Sequence, residues 1–171
     1  RESPERAVQQ GRDVGLYLAE PLVQGLLKVL WFPAVEVSID ALAWDLLEQV
    51  EKQGVKRVFV DGVDGFQAML VYPERLSRFC TAFITRLGHL ACTTVIAECR
   101  QTTGQDESAT SAADNVLSLQ ETLCAGRVRR FVTSQKRQGG RHELSPRSLR
   151  ISDDGLFVDR RRWWPFNEDK P

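Results

Sequence analysis

The feature that most restricts this chain is an alternation of two periods between residues 38 and 99. "SIDALAWDLLEQVEKQG" sets Ile39, Leu42, Leu46, Leu47 and Val50 on one helical stripe, with Ser38 to cap the start and Gly54 to end it. "KRVFV" then reads as a buried strand of β-branched and aromatic residues. "PERLSRFCTAFITRLGHL" returns to the helical period with Pro73 near its start, and "CTTVIAEC" is a second buried strand. Helix, strand, helix, strand implies a parallel sheet joined by helical crossovers, which is an α/β fold.

The flanks add two textures. At the start, "SPERAVQQGRDVGL" predicts a helix with Ser3 at the N-cap, Pro4 in the first turn and an end near Gly15. "GLLKVLW" follows as a short strand closed by Pro33. "RQTTGQDESATSA" is polar and turn-rich, a loop. Beyond Asp114, "NVLSL", "RVRRFVTSQK", "SLRIS" and "GLFV" read as short strands in antiparallel hairpins that extend one edge of the sheet. The tail "DRRRWWPFNEDKP" is irregular, and Trp163 and Trp164 either pack back on the body or mark a contact surface.

Chemistry concentrates at "RVFVDGVDGF". In an open parallel sheet, ligands sit at the carboxyl ends of strands, and Asp61 follows "RVFV" directly. A carboxylate there can hold a magnesium ion or its waters beside nucleotide phosphates. The same pattern also occurs where an Asp merely caps a loop. Asp64 reads as a turn residue. The usual phosphate cradle, Gly-x-x-x-x-Gly-Lys-Ser/Thr, does not occur in these residues: none of the five lysines follows a glycine. Glu2 precedes the first helix, where an acid either favours the helix dipole or orients an attacking water. "SQKRQGGRH" gathers Lys136, Arg137, Arg141 and His142 around two glycines, either as a hairpin turn with solvated charges or as a loop that meets an anion.

Composition narrows the classes. Of 171 residues, 23 are basic and 23 acidic, so no bulk positive field draws the chain to nucleic acid or an anionic membrane. The length suits one domain. The four cysteines form no Cys-x-x-Cys pair and only two histidines are present, which argues against a structural zinc. Three of the four cysteines sit in apolar runs, so reduced thiols in a cytoplasmic protein are expected. No apolar run reaches membrane-spanning length, and the N-terminus carries no signal-peptide pattern. The one methionine is Met69, and a chain starting at Arg1 is expected to be incomplete.

The order of these pieces resembles the KaiC-like branch of the RecA-type ATPases, from Arg1 to about Val158. "ESPERAVQQGRDVG" is similar to that family's Glu-Ser/Thr-Pro followed by a helix and a glycine. "KRVFVDGVDGFQ" looks like its Walker B strand, and "YPERLSRFCTAFITRL" like the helix after it. "TTVIAE" and "ADNVLSL" resemble the next core strand and the strand after the flexible loop. "QKRQGGRH" with "LRISDDGLFV" resembles the Lys-x-Arg-Gly hairpin and the closing strand.

The resemblance implies a RecA-like, mainly parallel sheet with flanking helices and a C-terminal antiparallel hairpin extension. The P-loop strand would be missing, with residues 1–158 forming the C-terminal portion of the ATPase domain and 159–171 a tail. It implies that Asp61 is the magnesium-positioning aspartate. Glu2 matches the second acid of the family's catalytic pair, and Arg1 stands where the first would be, which leaves Glu2 as the candidate general base. Lys136 and His142 match positions that reach a neighbouring subunit's nucleotide, while Gln138 replaces the arginine between them. The implied cofactors are ATP and Mg2+, and the implied assembly is a homo-oligomeric ring. The intact protein is expected to hydrolyse ATP slowly in regulation or signalling. The alternative is a catalytically inert interaction module of RecA-like architecture.

Overall fold

A computed structural model describes residues 3–32, 38–99, 110–124, 126–140 and 143–160. The chain divides into two compact units. The first holds residues 30–113 together with 1–2, and the second holds 3–29 and 114–171.

The first unit is built on the alternation seen in the sequence. Helix α3 (Ile39–Gln53) starts where the Ser38 hydroxyl accepts a hydrogen bond from the Ala41 N–H at 3.2 Å. It stops at Gly54, whose φ of 64° is the left-handed conformation that a glycine reaches without a Cβ penalty. Strand β1 (Arg57–Asp61) follows, then a short helix α4 (Asp64–Met69), a 3₁₀ turn (Pro73–Arg75) and helix α5 (Leu76–His89). Strand β2 (Thr93–Ala97) lies parallel to β1 in the register Arg57↔Thr93 to Asp61↔Ala97. Parallel neighbours need a crossover, and α4 with α5 supplies it.

One face of this strand pair carries the core. Val60 of β1 packs with Val50 of α3, Phe83 and Leu87 of α5, and Cys92. Phe79 bridges to Phe66 edge-on and stacks on Phe83, both at 5.8 Å between ring centroids. The opposite face is open: Phe59 is 66% exposed and its cross-strand partner Val95 is 55% exposed. Both strands were expected to be buried. The helices α3 and α5 cover a single face, so every second side chain is left outside.

The second unit opens with α1 (Pro4–Asp13), as Ser3 and Pro4 predict, and turns at Gly15 with φ of 75°. A short helix α2 (Ala19–Val23), too brief to leave a periodic trace in the sequence, comes next. The strand expected at residues 25–31 does not form. The N–H groups of Leu26 and Leu27 turn back to the Pro21 carbonyl at 2.9 and 3.1 Å, so local bonds take the donors that a ladder would need.

The antiparallel strands are β3 (Asn115–Cys124), β4 (Arg127–Arg137), β5 (Arg147–Ser152) and β6 (Gly155–Val158), hydrogen-bonded in that order. Among the described residues they form a sheet of their own rather than adding to the edge of β1–β2. The fold is therefore mixed α/β, with a small parallel sheet and a four-stranded antiparallel one. No described helix is long and apolar enough to cross a membrane.

Candidate functional site

Asp61 is the last residue of β1 and pairs with Ala97, the last of β2. The chain then turns at Gly62, with φ of 80°, and the N–H groups of Gly62 and Val63 both donate to the Ala97 carbonyl at 3.2 and 3.3 Å. The turn is thus tied to the end of the neighbouring strand. Val63, 1% exposed, sits in a cluster with Leu76 and Cys80, while Val60 on the other side of Asp61 belongs to the main core. Two buried valines hold the backbone, and the aspartate between them is exposed on the open face with Phe59. This is a fixed carboxylate at the carboxyl end of a parallel strand. Asp64, read as a turn residue, instead begins α4.

A second acid lies at the same edge. Glu98 directly follows β2, is half-buried, and was not singled out from the sequence. Its signal was available: "TTVIAE" ends in an acid just as "RVFVD" does. Burial, with the Glu98 charge adding to it, pushes the Cys80 thiol up to about 11. Cys92 is raised by burial too, against opposing contributions from Lys56 and Thr94. All four cysteines are free, with Cys80 and Cys92 buried and Cys99 exposed.

The cationic candidates lie in the second unit. Lys136 is on β4 opposite Val116, beside a register shift between Val116 and Leu117. Such a bulge bends the strand and re-aims its side chains. Arg137 pairs with Asn115, and the Gln138 N–H donates to the Asp114 carbonyl at 2.8 Å, closing the ladder. Gly139 and Gly140, with φ of 76° and 154°, carry the chain out of the strand. Lys136 is therefore strand-borne and exposed, with the glycine turn starting two residues later. Glu2 and His142 lie outside the described residues. Next to Glu2, the first turn of α1 holds Glu5, whose carboxyl is kept below the usual range by its backbone N–H and the Ser3 hydroxyl.

The fit to a magnesium ion can be judged from the donors. Among the described residues, no group of three or more His, Cys, Asp or Glu side chains could hold a metal. Magnesium, however, commonly binds through one or two carboxylates plus substrate phosphates and water. Asp61 suits that role as one ligand or as a holder of metal-bound water, but the described donors do not form a self-sufficient metal site.

No family model matches the chain, and no curated protein matches it. Among solved structures, a KaiC-like protein from the hyperthermophilic archaeon Pyrococcus horikoshii matches with a TM-score of 0.79 at 16% sequence identity. The match covers 93% of this chain and 72% of that one. At this identity the likeness is one of fold, and it extends through both units: the chain has a KaiC-like, RecA-type fold.

Proposed function

We propose that residues 1–158 form the C-terminal portion of a KaiC-like ATPase domain, followed by a tail. In the intact protein, the domain binds ATP with Mg2+ and hydrolyses it slowly in a cytoplasmic homo-oligomeric ring that serves regulation or signalling. The observation that carries this reading is the placement of Asp61: a carboxylate at the carboxyl end of a parallel strand, with its backbone fixed by buried neighbours, in a KaiC-like fold. Asp61 positions the metal or its waters, Glu2 acts on the attacking water, and Lys136 and His142 reach the nucleotide of a neighbouring subunit. The phosphate grip is supplied by a segment joined to this chain. Bound ATP and Mg2+ would supply a polarised γ-phosphate and a compact positive charge beside it.

The test uses a protein that carries this chain together with a Gly-x-x-x-x-Gly-Lys-Ser/Thr segment. Asp61→Ala is expected to weaken Mg2+-dependent ATP binding at least about tenfold, a loss of about 1.4 kcal/mol. Unchanged nucleotide affinity and turnover in that variant would overturn the reading. A second reading, an inert RecA-like interaction module, draws on Arg1 and Gln138, which replace an acid and an arginine of the family pattern. It predicts no magnesium-dependent ATP binding in the wild-type protein, with partner binding unaffected by Asp61→Ala.

A further inference from the structure

Strands β3 and β4 share a face on which apolar rows flank a single charged one. The register sets Leu117 opposite Ser134, Leu119 opposite Val132, Glu121 opposite Arg130 and Leu123 opposite Val128. Residues two apart along a strand, and their cross-strand partners, lie on one side of the sheet, so these four rows form one surface. On it Leu117, Leu119, Leu123 and Val128 are between 61% and 71% exposed. Exposed apolar side chains grouped in this way mark a surface that binds a partner. Between them the Arg130 guanidinium meets the Glu121 carboxylate at 2.7 Å, and both of those side chains are exposed as well.

The pattern is complementary to itself. Two copies laid face to face, with their sheets about 10 Å apart, can be related by a two-fold axis in the plane of the contact. With the axis along the strands, between β3 and β4, strand β3 of each copy lies over β4 of the other. Leu119 then meets the partner's Val132, Leu123 meets the partner's Val128, and Glu121 meets the partner's Arg130. With the axis across the strands, Glu121 instead meets the partner's Glu121 and Arg130 the partner's Arg130, which sets like charges together. With the axis moved to the gap between β4 and β5, where Arg130 pairs with Leu149, the Arg130 charge is buried against an apolar side chain. Of these arrangements, the first matches apolar rows with apolar rows and acid with base.

We propose that two copies of this chain associate through this face, with β3 of each over β4 of the other. The apolar rows supply the attraction. The central charges set the register more than the affinity, because their pairing across the contact is offset by their loss of water. A two-fold contact joins like patches and closes at two copies, so it differs from the contacts between unlike patches that close a ring. It uses neither Asp61 nor a nucleotide, nor Trp163 and Trp164, which lie outside the described residues. A contact centred on two strands is small beside a standard interface, so dimers form at about 10–100 μM, and unfolding experiments at about 1 μM read the monomer.

The test is sedimentation equilibrium of the full 171-residue chain across that concentration range. The expected result is a reversible monomer–dimer equilibrium. Glu121→Arg sets cations against cations in the contact and Arg130→Glu sets acids against acids, so each alone weakens dimerisation at least about tenfold. An equimolar mixture of the two variants restores it, because each copy then offers the charge that the other lacks. The exchange Glu121→Arg/Arg130→Glu keeps the pair within the chain and dimerises like the parent, which separates loss of contact from loss of fold. Leu119→Lys, at an exposed position, abolishes the dimer with the circular dichroism unchanged. A parent chain that stays monomeric throughout would overturn the proposal. So would a dimer unmoved by the charge substitutions, as edge-to-edge pairing of β3 gives, or single variants that fail to recover on mixing. Dimerisation lost when the chain is joined to a Gly-x-x-x-x-Gly-Lys-Ser/Thr segment would assign the face to that segment and overturn it too.

Discussion

The two compact units use apolar residues in opposite ways. In the first, α3 and α5 close over one face of β1–β2, and Val50, Val60, Phe83, Leu87 and Cys92 are buried together. In the second, among the described residues, Phe131 is the one strand residue of the four-stranded sheet in the buried hydrophobic core, and the apolar side chains of its opposite face, such as Leu119 and Leu123, are exposed. The lesson concerns layers. A sheet buries what a second layer covers, and apolar residues alone do not create that layer.

The largest break in this comparison comes from a core truncation. Leu87→Ala removes a side chain with 0% exposure and should destabilise the first unit by about 2–5 kcal/mol, read as a lower urea midpoint. Leu123→Ala in the second unit, 71% exposed, should change stability by no more than about 0.5 kcal/mol. Similar losses at both positions would mean that the apolar face is covered across its whole breadth.

Helix starts sharpen the contrast on a smaller scale. Ser38→Ala removes the hydroxyl that accepts from Ala41 N–H and should cost about 1 kcal/mol. Ser3→Ala at the start of α1 should cost less, because the Ser3 side chain makes no cap hydrogen bond there. Equal costs, measured by urea unfolding of the two variants, would remove that distinction.

The smallest effect is expected just above pH 9. The Cys80 thiol holds its proton to about 11 in the folded chain, against an ordinary value of 9.0. Between those values the unfolded chain has lost a proton that the folded chain keeps, so folded stability falls as pH rises. Cys80→Ala should flatten that alkaline slope. At neutral pH, mass spectrometry after brief alkylation should find Cys99 modified well before Cys80 and Cys92. Rapid labelling of Cys80 would show that the first unit opens readily.

Where local chemistry closed on itself, the sequence sufficed. Ser38 and Gly54 bounded α3, Pro4 opened α1, and the polar-to-apolar rhythm after Asp114 marked four strands. Asp61 was legible because an acid ending a strand has a fixed relation to its neighbour. Glu98 carried the same signal at β2. The strand expected at residues 25–31 could not be judged in this way. Its apolar run was compatible with a ladder, but the Leu26 and Leu27 amides turned to Pro21.

The sequence by itself determined the element types with clear periods, the position of the strand-end acid Asp61 and the absence of a glycine-rich phosphate cradle from these residues. Only the tertiary structure decided which strands pair, that the antiparallel strands form their own sheet, and which face of each sheet is covered. The reason is physical. Caps, turns and periodicity are set by residues within about one helical turn of one another. Strand partners and covering layers are set by contacts between residues far apart in the chain, and local sequence leaves those contacts open.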